Sequence, residues 1–326
     1  MEKMVGISDA GKHKSKSYFS LFRRDVYNDR YLYFLLLPAM LFVLVFSYAP
    51  MGGLVIAFQK FNIFAGKGSV ILSIMKSPWV GFDNFRKVFN NPDFWMIMRN
   101  TILISVYKLF WGFPIPILLA LLLNELRGKL FKRTVQTFLY LPHFISWVVI
   151  AGIMLAIFSP RTGVISEYFR FFNITPVNIL AQQKSFRSIL VLSQIWKESG
   201  WGTIIYLASF SLVDPQLYEA ATMDGAGRLR KTLHVTLPAI SGVIVLMLIL
   251  NIGWLMNAGF DQIQALQNQV VQNVSDIFDT YVMRVGLQRG EYSMTSAVGL
   301  FKSVVSMILV FGADRVAKLI GEEGLF

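Results

Sequence analysis

Between residues 214 and 238 the chain reads Asp214-Pro215-Gln216-Leu217-Tyr218-Glu219-Ala220-Ala221-Thr222-Met223-Asp224-Gly225-Ala226-Gly227-Arg228-Leu229-Arg230-Lys231-Thr232-Leu233-His234-Val235-Thr236-Leu237-Pro238. This pattern predicts two short helices with a break between them. Asp214 has the side chain of an N-cap. Pro215 suits the first helical position, where a missing N–H costs nothing. Helix formers Leu217, Glu219, Ala220 and Ala221 follow. Gly225 and Gly227 permit positive φ and a sharp turn. Arg228 to Val235 can resume a helix, and Pro238 then places a break or kink at the start of the next apolar run. Ala220 and Ala221 form a small-residue surface that another protein can approach closely.

Working outward, the segments on both sides of this knob are apolar. The chain has 326 residues, 55% of them apolar and 15% charged. Soluble domains average about 25% charged residues, so the composition is that of an integral membrane protein. It excludes disordered, collagen-like and small disulfide-scaffold classes. With no cysteine there is no disulfide, thiolate metal site or Cys nucleophile. The net charge of +12 comes from basic residues lying mostly between the apolar runs, which fits membrane topology rather than a nucleic-acid surface.

A helix needs about 20 mostly apolar residues to cross a bilayer. Six runs qualify: Tyr31 to Phe58, Thr101 to Leu123, Val135 to Phe158, Ser188 to Val213, Leu237 to Phe260, and Tyr292 to Ala313. Their length and lack of period-two alternation argue against a β-barrel. With the N-terminus in the cytoplasm, inside segments carry 16 Lys+Arg in 77 residues and outside segments 12 in 102. The positive-inside rule therefore predicts cytoplasmic N- and C-termini and puts the 214–238 knob in the cytoplasm. Residues 1–30 read as a basic cytoplasmic tail and 31–326 as the membrane domain. In the tail, Lys3, Lys12, Lys14, Lys16, Arg23 and Arg24 are placed to lie against anionic headgroups. The first run is too long for a signal-peptide core and reads as a retained anchor.

Two outer segments are more than linkers. Phe82, Phe85 and Phe89 share a helical face, and Asn91-Pro92 opens a second short helix through Phe94 and Trp95. These aromatic faces suit an outer interface. The segment 261–291 is rich in Gln and Asn and long enough to fold over the mouth of a pathway.

The residues Glu219-Ala220-Ala221, Asp224-Gly225-Ala226 and Leu237-Pro238 resemble the signature loop of binding-protein-dependent ABC importer permeases. Further segments resemble the sugar permeases: Val80-Gly81, Asn84-Phe85 and Asn100-Thr101; Trp196 to Gly202; and Leu217-Tyr218 with the preceding Asp214-Pro215. Asp279 to Val282, Gly286-Leu287, Tyr292-Ser293 and Ala297 to Phe301 resemble the oligosaccharide subfamily of lipoprotein/polysaccharide-type permeases. The resemblance covers about residues 30–326, with a family core of about 95–320. Leu229, Thr232 and Ser241-Gly242 depart from the subfamily pattern. The resemblance implies an all-α integral membrane protein with six transmembrane helices, the MetI-like type I ABC importer permease fold, in a bacterial inner membrane.

It also implies a mechanism. The loop would be a coupling helix docked in a cytoplasmic ATPase, with Glu219, Ala220, Ala221, Asp224, Gly225, Ala226, Leu233, Leu237 and Pro238 as the coupling residues. Glu219 would engage a basic ATPase residue, and Gly225 would supply the bend. Two ATP-binding subunits would bind ATP and Mg, so this chain needs no cofactor of its own. The remaining partners would be a second homologous permease (a heterodimer in preference to a homodimer), an extracellular solute-binding protein, an oligosaccharide and membrane lipid.

Polar residues at membrane depth are costly and usually face a bundle interior or water. Gln194, Trp196, Lys197, Glu198 and Trp201 in the fourth run, with Asn251, Trp254 and Asn257 in the fifth, form a candidate substrate pathway. Aromatic rings stack on pyranose C–H faces, and amides bond hydroxyls. Lys197 could pair with the carboxylate of an oligouronide. Helix–helix hydrogen bonding is the competing reading for this set. Lys108 and Lys302 are assigned to snorkelling or bundle pairing, and His143 to a bundle hydrogen bond. The chain has no phosphate-binding Gly-x-x-x-x-Gly-Lys loop and no His-Glu-x-x-His, so it is not expected to be an enzyme. The alternatives are an ATP-independent carrier, which would have no use for the Glu219–Pro238 knob, or an ABC permease for a non-sugar solute.

Overall fold

A computed structural model describes residues 29–160, 163–173, 175, 177–322 and 324–325. The six basic tail residues expected to lie along headgroups, Lys3 to Arg24, fall outside the described residues. The chain divides into two compact units, Met1–Val55 and Ile56–Phe326. In the first, the described chain is helical and enters α1 (Arg30–Phe58), which carries no formal charge after Arg30. A π-helical stretch, Leu44–Tyr48, interrupts it ahead of Pro50, whose ring cannot continue the regular hydrogen-bond ladder.

Among its described residues the regular elements of the second unit are helices, joined by turns and loops, with an isolated bridge between Gln59 and Trp79. Its first segment holds α2 (Val70–Lys76) and α3 (Asp83–Asn90). Phe58, at the end of α1, stacks on Trp79 and meets Phe82 and Phe85, so the aromatic face expected here packs locally. Asn91 caps the next helix through the Asp93 N–H, and Pro92 occupies its first position. That helix is not a separate short piece. α4 runs through Pro92–Glu125, 34 residues, and absorbs the second span. Nothing between Phe94 and Gly112 breaks a helix, and Asn100 and Thr101 satisfy their side chains on neighbouring carbonyls.

The third run is not one straight helix. α5 (Lys129–Phe144) and α6 (Trp147–Phe158) meet at 98°. Pro142 lies in the closing 3-10 turn of α5, and the Ser146 hydroxyl caps α6 at the Val149 N–H. A proline followed by a cap ends one helix and starts another. After α7 (Val164–Phe171), α8 (Gln183–Phe210) is longer than the expected Ser188 start. α9 (Pro215–Met223) and α10 (Arg228–Ala239) form the knob. α11 (Ser241–Asn257) leaves α10 at 63°, so the fifth run is broken near Pro238, as that residue implies. It breaks again at left-handed Ala258 and Gly259, before Phe260. Three short helices follow: α12 (Phe260–Leu266), α13 (Gln272–Ser275) and α14 (Phe278–Tyr281). α15 (Tyr292–Leu319) extends past the expected Ala313 end.

By length and composition, three helices can span a membrane: α1, α4 and α15. The number rises to five if each bent pair, α5/α6 and α10/α11, is one span. The fourth expected span, α8, has the length at 28 residues but carries Lys184, Arg187, Lys197 and Glu198. The core of the second unit lies where α4 meets the other helices. Phe94, Phe278 and Phe301 pack edge to face at one end. Ile104, Phe186, Leu190 and Ile263 fill the middle, and Ala120, Tyr206, Phe210 and Ile240 the far end. Gly200 of α8 meets the backbone of Leu139 so closely that a Cβ there has no room.

Candidate functional site

The knob is built as its sequence implies. The Asp214 carboxylate accepts the Gln216 N–H at 2.9 Å, and α9 begins at Pro215. It ends in a Schellman arrangement: the Ala226 N–H donates to the Ala221 carbonyl at 2.9 Å and the Gly225 N–H to that of Thr222 at 3.0 Å. Gly225 stands at φ +75° in open space. Gly227, which also permits positive φ, does not use it and is extended (φ −70°, ψ 171°) as the cap of α10. Two side-chain bonds tie the helices together, Lys231 Nζ to Thr222 Oγ1 at 2.7 Å and Tyr218 to Thr236 Oγ1 at 3.0 Å. Glu219, Ala220, Asp224, Leu233 and Pro238 are exposed, while Ala221, Ala226 and Leu237 are half-buried. Glu219 forms no ion pair among the described residues, leaving its carboxylate available to a cation outside the chain. Met223, 88% exposed, and Leu229 add apolar surface beside it, so the knob combines a charge with uncovered hydrophobic area.

A cavity of about 1070 Å³ opens within the second unit among α4, α8, α11 and α15. Six of the eight pathway residues line it: Gln194, Glu198, Trp201, Asn251, Trp254 and Asn257. Trp254 is largely exposed, with a ring face free for a sugar. Trp201 stacks on His143, centroids 4.5 Å apart and rings 3° from parallel. Trp196 is half exposed on another face of α8 and does not line the cavity.

Lys197 does not line the cavity either, and its partners explain why. The break after Pro142 frees the His143 carbonyl from regular helix bonding, and the Lys197 ammonium donates to it. The same ammonium is 3.2 Å from Glu198 Oε1, while His143 Nδ1 is 2.7 Å from Glu198 Oε2. Lys197 and His143 therefore hold Glu198 and brace the bend against α8. His143 makes a bundle hydrogen bond, as expected. Lys302 pairs with both Asp279 oxygens at 2.6 and 2.7 Å, which also matches the bundle-pairing expectation.

Sequence reasoning missed two cavity residues, Trp147 and Lys108. Lys108 is bonded within the bundle, to the Ala258 carbonyl and Gln262, as the bundle-pairing expectation has it, and at only 7% exposed it also lines the cavity. Its position in the middle of a long apolar run was the available signal.

In the segment 261–291, Asp276 is fully buried. It accepts two bonds from Arg284 and one from Thr280 at 2.7 Å. The bond to Asp276 raises the Arg284 pKa above its ordinary value. Burial raises that of the adjacent Tyr281. At the exposed end of α3, a hydrogen bond and the charge of Lys87 lower the Asp83 pKa. Arg187 joins the Asn100 side chain and the Val274 carbonyl, so α4, α8 and the 261–291 segment are held together over this face.

Residues 112–322 match the family described as binding-protein-dependent transport system inner membrane component. The chain is 47% identical over 298 residues to protein LplB of Bacillus subtilis (strain 168), covering 91% of this chain and 92% of that one. It is also 47% identical over 298 residues to the polygalacturonan/rhamnogalacturonan transport system permease protein YteP of the same organism, covering 91% of each. Among solved structures, it resembles a chain of a bacterial ABC transporter involved in import of the acidic polysaccharide alginate. That match has a TM-score of 0.83 and 37% identity, covering 92% of this chain and 99% of that one.

Proposed function

The chain belongs to the family of binding-protein-dependent transport system inner membrane components, and from that premise we propose how it works as the permease subunit of an oligosaccharide ABC importer. Its membrane part is read as six spans, with α8 as the fourth and both termini cytoplasmic. Two of the charged residues of α8 are engaged within the protein: Lys197 and Glu198 bond each other and the α5/α6 bend. Similarity to a polygalacturonan/rhamnogalacturonan permease and to a transporter of the acidic polysaccharide alginate makes uronic-acid oligosaccharides the first cargo to test. The membrane is the bacterial inner membrane.

This chain supplies pathway and coupling, not hydrolysis. ATP and Mg belong to two separate ATP-binding subunits, one of them docked on the α9/α10 knob. A second homologous permease, in preference to a copy of this chain, closes the pathway, and an extracellular binding protein delivers the sugar. The observation that carries the reading is the pairing of the knob with the cavity. An exposed, unpaired Glu219 sits on a rigid helical turn, and α10 and α11 continue from that turn to Asn251, Trp254 and Asn257 on the cavity wall. Movement imposed on the knob thus reaches the cavity through one bent helix pair. The aromatic and amide lining suits a polyhydroxylated cargo, since Trp254 can stack on a ring and the amides can satisfy hydroxyls.

The test is reconstitution. This chain, its partner permease and the ATPase are placed in proteoliposomes with the binding protein outside and ATP inside. Uptake of a labelled oligosaccharide that stops without ATP or without the binding protein is the expected result. Uptake by this chain alone, indifferent to ATP, would establish the carrier alternative instead.

A further inference from the structure

Lys108 is the cavity-lining cation whose charge is not matched within the protein. Lys302 is held by both oxygens of Asp279. Lys197, which does not line the cavity, is held by Glu198 and the His143 carbonyl. Lys108, on α4, donates to the Ala258 carbonyl at 2.8 Å and to Gln262 Oε1 at 2.5 Å. Both acceptors are neutral, and no carboxylate lies within ion-pair distance among the described residues. Of the three carboxylates on the cavity wall, Glu198 and Asp279 are already paired. Asp261 is exposed and forms no ion pair among the described residues.

The site is built around this ammonium. Ala258 and Gly259 take left-handed conformations where α11 gives way to α12, at φ 48° and 81°, and this presents the Ala258 carbonyl to Lys108. Gly259 leaves room for it: a Cβ there would stand 2.5 Å from Lys108 Nζ. Gln262, 1% exposed, is itself fixed, its amide donating to the Leu190 carbonyl at 2.7 Å and to Ser193 Oγ at 2.8 Å. A lysine has three N–H donors, and two are used here. An unneutralised ammonium this deep is expensive unless an anion joins it.

We infer that Lys108 reads a carboxylate on the transported oligosaccharide, its remaining N–H and its unmatched charge forming the acid-selective contact of the cavity. This rests on the oligosaccharide-importer reading above and adds the substrate class that the cavity selects. The uronate carboxylate would complete the coordination of the ammonium while Trp254 and the amides hold the ring. Lys108 also pins the α11–α12 break, so loss of that structural role has to be separated from loss of recognition.

The experiment compares a uronic-acid oligosaccharide with its carboxyl-reduced, neutral counterpart in the reconstituted importer. Binding-protein-loaded cargo is supplied in excess, so that KM and kcat of the membrane step are both read. The wild type is expected to favour the acidic sugar in kcat/KM by about 10-fold or more, the scale of a charge-assisted hydrogen bond. Lys108→Gln should raise KM for the acidic sugar by about 10- to 100-fold more than it raises KM for the neutral sugar, and Lys108→Arg should retain the acid preference. Equal losses on both sugars in Lys108→Gln would assign Lys108 to structure alone and overturn the inference. If Lys108→Gln does not assemble, the wild-type comparison decides, because a wild type indifferent to the carboxylate overturns the inference by itself. ATP-dependent uptake of both sugars without discrimination refutes only the role of Lys108. Absence of ATP-dependent uptake of either sugar refutes the importer reading on which it rests.

Discussion

Gly225 provides a graded test of the knob, because its backbone angle and its surroundings make separate demands. At φ +75° an L side chain is strained, yet nothing lies within 4 Å of where a Cβ would sit. The cost of Gly225→Ala is therefore conformational alone, about 1–2 kcal/mol. Asn tolerates the left-handed region better, so Gly225→Asn should cost less. The turn is held by the two Schellman bonds and by the Lys231–Thr222 and Tyr218–Thr236 bonds. At about 1 kcal/mol net per bond, these stabilise it by about 4 kcal/mol. Ala should then leave the folded turn dominant, and coupled uptake should fall by no more than about tenfold. Gly225→Pro differs in kind. It fixes φ near −65° and deletes the N–H that donates to Thr222, so the turn cannot form. Coupled uptake should fall by more than about 100-fold, with normal amounts of the chain in the membrane and ATP hydrolysis no longer stimulated by loaded binding protein. Uptake and ATPase activity are measured side by side in proteoliposomes across the Asn, Ala and Pro series. A Pro variant that transports normally, or an Ala variant as damaged as Pro, would refute the reasoning.

The remaining predictions concern charge and packing. Glu219→Lys reverses an exposed, unpaired charge and touches no internal partner, so thermal stability in detergent should not change while the ATPase subunit no longer co-purifies. Gly200→Ala places a Cβ against the Leu139 backbone; overpacking of this kind costs about 1–3 kcal/mol, and a lowered melting temperature with reduced uptake is expected. Asp276→Ala leaves Arg284, 26% exposed at its side chain, without its carboxylate. The loss should approach about 3 kcal/mol, read as a lower melting temperature that Asp276→Ala combined with Arg284→Met partly restores.

Much of the knob was legible because its determinants are local. Asp214, Pro215 and Gly225 each act on backbone within three residues, so capping and turn rules place them correctly from sequence. Which of the two glycines uses positive φ was not legible, because glycine permits it without requiring it, and the start of α10 needed an extended cap at Gly227. The membrane runs were legible as composition, but their geometry was not. The third run looks like one continuous helix until Pro142 and Ser146 turn it through 98°, and the second proved continuous with the short helix expected before it.

The candidate cavity divides along the same line. Periodicity on α8 and α11 was enough to put Gln194, Glu198, Trp201, Asn251, Trp254 and Asn257 on one wall, since residues three and four apart share a helix face. It could not say where the lysines point. A long flexible side chain goes to whichever acceptor the fold leaves unpaired. For Lys197 that is a carbonyl freed by the α5/α6 bend, and for Lys108 it is one freed at the end of α11. The sequence alone determined that the chain is a helical membrane protein with a capped, glycine-turned knob, because burial preference and backbone sterics act over a few residues. Only the tertiary structure decided which cation faces the cavity, because that depends on two helix breaks meeting side chains 54 and 150 residues away.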